Sequence, residues 1–368
     1  LKFSCFENLQ LKTILLLVAS LLVAAGCAAV FVNEPDAAMA DRPAHHRADG
    51  TFVNTDGTAI SKSFTDLLRW RWSRTEPDAM AFDVMEPDPE VLAQPVATQV
   101  TWLGHSAFLL QAGGKNVLTD PHFSERASPL SFAGPERIVV PPLSIEALPH
   151  IHAVVISHNH YDHLDEASLT EIYNKQPDNP PVFVVPLGLK EELVSYGIKT
   201  AVELDWWQQV AVQGVSMTLV PAQHWHQRGP LDRNQALWGG WVVKGSRSVY
   251  HSGDTGFFGG FTTIGRVFPE LDLAVLPLGA YEPRWFMEQQ HMSPESSVQA
   301  CLDMGAKRFL GMHWGTFVLT DEPADHGAYT LLPRILGERG LDPERFVVLK
   351  HGGGVGLEGE GVEGADLG

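Results

Sequence analysis

The sequence predicts an α/β domain in which helices flank two β-sheets. Apolar strand-like runs recur from about residue 98 onward, and helix-like segments separate the later runs. The early runs follow one another without helices between them, as the strands of hairpins do. This mixture is typical of α/β layers around two sheets, here within one domain of roughly 260 residues.

The chain is expected to divide into a leader, a tether, an extension, the α/β domain and a tail. The expected boundaries are a signal peptide over 1–27, a flexible tether over 28–60, an N-terminal extension packed on the domain over 61–97, the domain itself over 98–355 and a disordered tail over 356–368. The tether assignment rests on the Ala, Asp, Pro, Gly and Thr content of this segment, which has no periodicity.

The leader predicts export. Its apolar run, within "TILLLVASLLVAAGC" (13–27), is too short for a comfortable membrane span and ends in small residues before Cys27. This pattern resembles a bacterial lipoprotein cleavage site, with Cys27 lipidated and anchoring the mature chain to a membrane on its periplasmic side. Ala28 is not the aspartate that retains lipoproteins in the inner membrane, which favours the outer membrane. An ordinary secretory signal or an uncleaved anchor is the alternative.

Composition excludes some partners and frameworks. The formal net charge is −18 and no basic block occurs, so a nucleic-acid partner is not expected. Cys5, Cys27 and Cys301 are the only cysteines, so no intrachain disulfide framework is expected. Cys301 lies at helical spacing from Val298 and Met304 and is expected in the core. The sequence does not indicate an oligomeric state.

The individual elements are predicted from periodicity and capping residues. Strand-like runs are "VTWLGHSAFLL", "NVLTD", "AVVIS", "VFVVP", "MTLVPAQ", "GWVVKG", "SVYHSGD", "LAVLPLG", "RFLGMHWG" and "FVVLKHG". Helices are expected over 63–72, 165–173, 189–196 and 293–304. In the last of these, Ser293 suits the N-cap and Pro294 suits the first helical position.

A dense group of metal-ligand residues follows one predicted buried strand. Directly after "AVVIS" (153–157) come His158, His160, Asp162 and His163, within six residues. A single buried histidine is more often a hydrogen-bonded core residue than a metal ligand. Four such side chains buried without partners would be costly, so the motif predicts metal binding.

Single His and Asp residues follow three other predicted strands. His224 comes after "MTLVPAQ", Asp254 after "SVYHSG" and His313 after "RFLGM". Loops past the carboxyl ends of strands gather at one edge of layered α/β folds, where binding sites form. Taken alone, each of these residues supports a metal-binding role only weakly. Together with the first four they suit two ions rather than one.

The residue types suit zinc. Zn²⁺ accepts imidazole nitrogen and carboxylate oxygen, and two ions about 3.5–4 Å apart share an activated water. His158 and His160 are expected to face one ion, and Asp162 and His163 the other. A carboxylate bridges two cations whereas a neutral imidazole does not, so Asp254 is the expected bridge. Mn²⁺ and Fe²⁺ accept the same ligands and are not excluded.

The motifs, taken in order, resemble those of the N-acyl-phosphatidylethanolamine-hydrolysing phospholipase D family of the metallo-β-lactamase superfamily. The resemblance rests on "TWLGHSAFLL", "LTDPHFSERASP", "VVISHNHYDHLD", "PAQHW", "SGDTG", "QHMSPE" and "HWGTF". It implies that the domain over 98–355 is a hydrolase with a four-layer αβ/βα sandwich, in which helices flank two mixed β-sheets. It also implies a centre with two Zn²⁺ ions, in which one ion is held by His158, His160 and His224, the other by Asp162, His163 and His313, and Asp254 bridges them.

The resemblance also implies roles for residues around the metals. Asp120 in "LTDP" is expected to accept the free N–H of a ligating imidazole, or to cap a tight turn. His105 is expected to be a donor behind the ligands, or part of its strand. His291, with Gln290, matches a position that faces the substrate; otherwise it packs before the following helix.

Hydrolysis of a phosphodiester in a lipid headgroup is the implied reaction. Water activated by the ions attacks phosphorus, and the products are phosphatidic acid and an N-acylethanolamine. Asp162, Asp254 and His291 are the expected catalytic residues, with His291 donating to the leaving alcohol or to the phosphate.

A phospholipid at a membrane surface is the expected partner. Trp285 and Phe286, in "YEPRWFM", are expected to contact its acyl chains. Arg284 beside them is expected to meet a phosphate or to pair with Glu282.

Two other functions are compatible with the sequence. A metal-dependent lactonase, or another hydrolase of a small phosphorylated or lactone substrate, would use the same fold. A surface lipoprotein that binds metal without catalysis belongs to another class, and the completeness of the ligand set disfavours it.

Overall fold

Two eight-stranded sheets form the middle of the fold in the computed structural model, which describes residues 32–33, 45–75, 77–78, 80–93, 98–358 and 362–365. In chain order the strands are β1 (Val32–Asn33), β2 (Gln99–Gly104), β3 (Ala107–Ala112), β4 (Lys115–Thr119), β5 (Ala153–Val155), β6 (Val182–Pro186), β7 (Ala201–Leu204), β8 (Gln209–Val212), β9 (Val215–Val220), β10 (Gly240–Lys244), β11 (Ser248–His251), β12 (Leu273–Pro277), β13 (Arg308–Met312), β14 (Phe346–Val347), β15 (Leu349–Gly356) and β16 (Val362–Ala365).

The two sheets are built on the same plan. Sheet I has the order β16-β15-β2-β3-β4-β5-β6-β7, and sheet II has the order β1-β8-β9-β10-β11-β12-β13-β14. Sheet I is antiparallel from β16 to β4 and parallel from β4 to β7. Sheet II is antiparallel from β1 to β11 and parallel from β11 to β14. The predicted progression from hairpins to strands separated by helices therefore occurs once in each sheet.

Eight α-helices are found in the described part of the chain. They are α1 (Phe64–Ser73), α2 (Pro89–Ala93), α3 (Glu166–Lys175), α4 (Lys190–Ser195), α5 (Gly260–Val267), α6 (Arg284–Met287), α7 (Pro294–Met304) and α8 (Leu332–Arg339). A π-helix over His326–Leu331 precedes α8, and a 3-10 helix covers Pro343–Arg345. The four helices expected from the sequence are present, with ends shifted by one or two residues.

Alternation along the strands of sheet I separates two layers of the core. Val155 packs into the large cluster that also contains residues of sheet II, whereas Val154 and Ile156 pack with Leu169 of α3 and Leu193 of α4. This period of two is what a strand buried on both faces requires. Helices therefore cover the outer face of sheet I.

Helices also pack on sheet II. Phe261 of α5, Cys301 of α7 and Ile335 of α8 belong to the same large cluster as the strands of sheet II. The predicted fold class is confirmed: the layers are helices, sheet, sheet and helices. Cys301 is buried as predicted, and burial raises the pKa of its thiol to about 12.

The capping expected for α7 is present. The side chain of Ser293 accepts a hydrogen bond from the backbone N–H of Ser296, and Pro294 is the first helical residue. Gly305 ends the helix with a φ of 66°, a conformation that suits glycine. These local signals fix the position of the helix that follows His291.

The terminal segments depart from their predictions. The flexible tether expected over 28–60 is not found in its described parts, because β1 pairs with β8 and Phe52, Val53 and Ile60 are buried. The disordered tail expected over 356–368 is likewise ordered where described, since β16 pairs with β15. Long-range pairing and burial order these segments, and neither leaves a local periodicity in the sequence.

The predicted extension over 61–97 lies against the domain at two points. Trp70 of α1 stacks on Phe286, with ring centroids 5.2 Å apart, and Leu92 of α2 is buried. No helix in the described residues is long and apolar enough to cross a bilayer. The signal peptide over 1–27 and the lipidation site at Cys27 fall outside the described residues and stay predictions.

Candidate metal centre

All seven predicted ligand side chains meet where the two sheets face each other. Sheet I supplies the loop that follows β5. Sheet II supplies three single residues, one from the segment after each of β9, β11 and β13. Together with His105, their ligand atoms form two groups, each of which could hold an ion. The first group contains His158, His160, His224 and Asp254, and the second contains His105, Asp162, His163 and His313.

The first group consists of three imidazoles whose nitrogens converge. His158 Nε2 lies 2.9 Å from His160 Nδ1, which lies 3.2 Å from His224 Nε2. Asp254 Oδ2 is 3.8 Å from His158 Nε2 and 3.9 Å from His224 Nε2. Three converging lone pairs closed by one carboxylate match the N and O ligand set of zinc.

The second group is built around Asp162. Its Oδ2 atom lies 3.5 Å from His163 Nε2 and 3.5 Å from His313 Nε2. The same oxygen is 2.9 Å from His105 Nε2. His105 thus contacts a carboxylate of the group from behind.

Asp254 faces both groups. Besides its contacts in the first group, its Oδ2 lies 3.2 Å from His163 Nε2 and its Oδ1 lies 3.0 Å from His313 Nε2. This is the position that the prediction of a bridging carboxylate requires.

Several polar atoms of the centre are buried without a hydrogen bond. His163 Nε2, His313 Nε2 and Asp254 Oδ1 have no hydrogen-bond partner within the described residues. Buried polar atoms left in this state destabilise a protein unless something else binds them. Cations coordinated by imidazole nitrogen and carboxylate oxygen would satisfy these atoms, so the donor set fits metal ions.

Contacts behind the ligands select which ring nitrogen faces inward. His163 Nδ1 lies 2.8 Å from Asp120 Oδ2, and His224 Nδ1 lies 3.0 Å from the carbonyl oxygen of Gln290. Both acceptors require a proton on Nδ1, which leaves the Nε2 lone pair free for a metal.

Asp120 contacts the ligand loop at two residues, His163 and Ser157. Besides contacting His163, it accepts hydrogen bonds from the backbone N–H and the hydroxyl of Ser157, at 2.7 and 2.6 Å. Asp120 also adopts a φ of 36°, and His105 and His313 have φ values of 53° and 59°. Positive φ in non-glycine residues costs energy and often marks functional sites.

Gly253 allows the two sheets to approach at the centre. A Cβ atom at this position would lie 2.5 Å from the Cβ atom of Ser157, and the φ of Gly253 is 56°. A side chain here would push the loop carrying Asp254 away from the loop carrying His158. The glycine in "SGDTG" is therefore needed for Asp254 to reach both groups.

Asp162 and Asp254 favour the charged forms of the side chains in the second group. Although burial opposes it, the charge of His163 and a hydrogen bond with His105 keep the pKa of Asp162 well below its usual range. Burial also opposes protonation of His313, yet the nearby carboxylates of Asp254 and Asp162 raise its pKa to about 9. The pKa of His163 is raised for the same reason. Protons on these imidazoles supply positive charge that a cation would otherwise provide.

The imidazoles of the first group are neutral instead. Burial and the neighbouring imidazoles lower the pKa of His158 and His224 well below the usual value, and burial lowers that of His160 to about 4. Neutral imidazole is the form that coordinates metal.

Comparisons with known proteins identify the family. A family model described as a β-lactamase superfamily domain matches residues 115–314. The chain belongs to the metallo-β-lactamase superfamily. It is 42% identical over 245 residues to the N-acyl-phosphatidylethanolamine-hydrolyzing phospholipase D 1 of Caenorhabditis elegans, covering 64% of this chain and 67% of that protein. The resemblance predicted from the motifs is thereby confirmed.

More distant relatives are also hydrolases. A metal-dependent hydrolase of Methanopyrus kandleri is 30% identical over 259 residues, covering 69% of this chain and 97% of the relative. A metallo hydrolase of Ignicoccus hospitalis, of known structure, shares the fold with a TM-score of 0.54 and 19% identity, covering 72% of this chain and 100% of that one. This metallo-β-lactamase superfamily member is therefore a metal-dependent hydrolase.

His291 lies beside the metal centre of this hydrolase. Its Nδ1 is 3.8 Å from Asp254 Oδ2 and has no hydrogen-bond partner in the described part of the chain. Burial lowers its pKa to about 4. The backbone carbonyl oxygen of Gln290 accepts the N–H of His224 at 3.0 Å, and a contact of its side chain with substrate stays a prediction.

Of the remaining residues predicted to contact substrate, Trp285 is partly exposed to solvent, whereas Phe286 and Arg284 contact other parts of the protein. Trp285 is 41% exposed, whereas Phe286 is 7% exposed and packs beneath α1. The guanidinium of Arg284 donates to the carbonyl oxygens of Tyr281 and His291, at 3.3 and 3.2 Å. Arg284 therefore holds the loop before His291 in place. Within the described residues its guanidinium forms no ion pair with Glu282, and a contact with a substrate phosphate stays a prediction.

Arg228 supports the metal-binding loop and was not found from the sequence. Its Nη1 donates to the carbonyl oxygens of Asn159 and Leu164, at 3.1 and 2.9 Å, so it spans the loop that carries four ligands. Its guanidinium lies 4.0 Å from the ring centroid of Tyr161, and its Nε is 2.9 Å from Glu192 Oε1. No local pattern identified it, since its partners lie far away in the sequence.

Proposed function

We propose that this hydrolase holds two divalent cations, Zn²⁺ being the ion that its ligands fit, and cleaves N-acyl-phosphatidylethanolamine as a phospholipase D. The two-ion part is carried by one observation, the contacts of Asp254 with imidazoles of both groups. The substrate part is supported by the 42% identity to a relative that bears this activity in its name.

Bound ions would lower the pKa of a shared water to near neutrality and neutralise charge that develops on the phosphoryl oxygens. The side chains of the protein would orient the ligands for these ions. Asp254 fixes the spacing of the two groups, and His105 holds Asp162 in place. The unpaired Nδ1 of His291 is available to donate to a phosphoryl oxygen or to the leaving alcohol.

The reaction is a simple displacement at phosphorus. The oxygen of water forms a bond to phosphorus, and the bond from phosphorus to the oxygen of the N-acylethanolamine breaks. That oxygen takes up a proton as it leaves, and the water gives one up. The products are phosphatidic acid and an N-acylethanolamine.

An apolar surface beside the site supports a lipid substrate. Phe64 and Trp72 lie on one side of α1 and are 72% and 87% exposed. The same helix contacts the loop before His291, because the guanidinium of Arg69 lies 4.4 Å from the ring centroid of Trp285.

We propose that this surface meets a bilayer. Arg69, Arg71 and Arg74 lie on or next to α1, so positive charge accompanies the apolar side chains in a chain whose net charge is −18. Apolar side chains with neighbouring cations are typical of helices that lie in the interface of anionic membranes. The anchor at Cys27 would add to this attachment, and it remains a prediction.

Substrate specificity is tested by assaying the purified protein with zinc supplied. We expect hydrolysis of N-acyl-phosphatidylethanolamine to phosphatidic acid and N-acylethanolamine, with little turnover of a sugar-phosphate lactone panel. Turnover of the lactones alone would show a lactonase. Metal binding without turnover of any substrate would leave only the non-catalytic function.

Membrane contact is tested separately with vesicles containing anionic lipid. The double change Phe64→Ser and Trp72→Ser should weaken vesicle binding and slow hydrolysis of lipid in vesicles, while turnover of a water-soluble phosphodiester stays unchanged. Leu231→Ser is the matched control, because Leu231 is 88% exposed and lies outside α1. Equal vesicle binding by the double variant and the control would contradict the proposed membrane surface.

A further inference from the structure

A second cluster of ligand-type side chains lies outside the metal centre. His45 Nε2 is 2.5 Å from Asp205 Oδ1, and His46 Nε2 is 2.8 Å from Asp205 Oδ2. Neighbouring residues of an extended chain normally point to opposite sides. Here both imidazoles turn to the same carboxylate, with their ring centroids 4.5 Å apart. We infer that His45, His46 and Asp205 form a further site for a divalent transition-metal ion, separate from the catalytic pair.

Two of the three ligands are held in place by other contacts. Asp205 Oδ1 accepts the backbone N–H of Trp206 at 2.7 Å, which fixes the carboxylate. The ring of His45 stacks on the indole of Trp206, with centroids 4.2 Å apart, and His45 is 3% exposed. Ligands that are already ordered lose little conformational freedom when an ion binds, which favours affinity.

The third ligand leaves the site open to solvent. The side chain of His46 is 51% exposed, so an ion has a direct path to the cluster and water can complete its coordination. Two imidazoles and one carboxylate suit Zn²⁺, Ni²⁺ and Cu²⁺ and disfavour Mg²⁺ and Ca²⁺, which prefer oxygen ligands.

The position of the cluster in the fold is related to that of the catalytic centre. Asp205 directly follows β7, as the ligand loop follows β5, and both strands are parallel members of sheet I. They are separated by β6, so the two sites lie on the same edge of the sheet but two strand spacings apart, roughly 10 Å. One ion cannot serve both.

An ion at this site would fasten a segment that reaches the catalytic centre. Residues 45–54 run from the cluster to Asn54, whose Oδ1 accepts the backbone N–H of the ligand His224 at 3.0 Å. The same oxygen accepts the indole N–H of Trp238 at 3.1 Å. The site is therefore expected to stabilise this segment rather than to take part in hydrolysis.

The number of bound ions tests the inference. After saturation with Zn²⁺ and removal of the excess, elemental analysis of the intact protein should find one ion fewer per chain in His46→Ala than in the wild type. His150→Ala, which removes another exposed histidine, should bind as many ions as the wild type. Hydrolysis should be unchanged in both variants at a temperature well below unfolding, because neither residue belongs to the catalytic centre.

A second measurement separates metal binding from simple hydrogen bonding. In the wild type, added Zn²⁺ should raise the unfolding temperature further than it does in His46→Ala and in Asp205→Asn. Equal ion counts in the wild type and His46→Ala would overturn the inference. In that case the histidines would only donate hydrogen bonds to Asp205, and the variants would be less stable by the same amount with or without zinc.

Discussion

The two sheets contribute to the metal centre in different ways. Sheet I supplies a single loop after β5, which carries four ligands within six residues, 158–163. Sheet II supplies His224, Asp254 and His313, one from each of three separate strand ends. The ligands of sheet I are therefore close together in sequence, whereas those of sheet II come together only when the chain folds.

The supports of the two ligand sets differ as well. The loop is held by side chains, since Asp120 contacts His163 and Arg228 spans the loop through the carbonyl oxygens of Asn159 and Leu164. Backbone contacts support two of the ligands from sheet II: the N–H of His313 donates to the carbonyl oxygen of His105 at 3.0 Å, and His224 Nδ1 lies 3.0 Å from the carbonyl oxygen of Gln290. Side-chain substitutions should therefore perturb the loop in graded steps, whereas the sheet II set should fail when a ligand itself is changed.

Asp254→Asn should have the largest effect. The amide removes the negative charge that faces both groups, so hydrolysis should fall by about 10³-fold, the size of effect seen when transition-state charge loses its partner. Steady-state kinetics with zinc in excess measures this loss. Asp303→Asn is a change of the same kind on α7 and serves as the control, which should retain full activity. Near-wild-type turnover in Asp254→Asn would show that Asp254 does not bridge the two ions.

Asp120→Asn should weaken metal binding at the loop. An amide still hydrogen-bonds to Ser157, but it no longer provides the charge that orients His163, so zinc affinity should fall by about 100-fold. Competition with a chelator measures the affinity of each ion. The ion held by Asp162, His163 and His313 should be lost first, and loss of the other ion first would contradict the assigned grouping.

Arg228→Gln should have a smaller effect of the same kind. The variant loses the contacts across the loop but no ligand, so we expect a decrease of about 10-fold in zinc affinity, with activity restored by excess zinc. Arg247→Gln, at the surface beside Asp272, is the matched control. Arg228 would have no part in positioning the loop if the two variants bound zinc equally well.

The pH dependence of stability should show an effect in the metal-free protein alone. In the metal-free protein the pKa of His313 is raised to about 9, above the value of about 6.5 in an unfolded chain. Its stabilising contribution is then complete below about pH 6.5 and is lost as the pH rises through about 9. The free energy of unfolding of metal-free protein should fall by about 2 kcal/mol between pH 7 and 9.

Zinc should remove this dependence, because the ion displaces the protons from the imidazoles. Denaturant unfolding with and without zinc compares the two states. A flat pH profile of the metal-free protein over this range would show that His313 does not carry the additional proton.

The same contrast explains what the sequence could predict. The group at 158–163 was recognised from the residues because its ligands are close in sequence, and the strand before it ends where an apolar run ends. His224, Asp254 and His313 required the family resemblance, since each is one residue at the end of one strand. Arg228 and Asn54 were missed because their partners are distant and their residue types are common in loops.

The errors have a related cause. Residues 28–60 looked like a tether because their composition lacks periodicity, yet Phe52, Val53 and Ile60 are buried in the folded chain. The ion pair expected between Arg284 and Glu282 is not found in the described residues, because the Arg284 guanidinium donates to backbone carbonyl groups. Local sequence predicts which elements form, and long-range packing decides what irregular segments and long cationic side chains contact.

The central claim is that two ions bind among the seven side chains of the metal centre. Anomalous diffraction from crystals of the zinc-supplied protein tests it most directly. We predict two peaks about 3.5–4 Å apart, with Asp254 between them, one contacted by His158, His160 and His224 and the other by Asp162, His163 and His313. A single peak in this centre, or zinc contacted by other residues, would contradict the account.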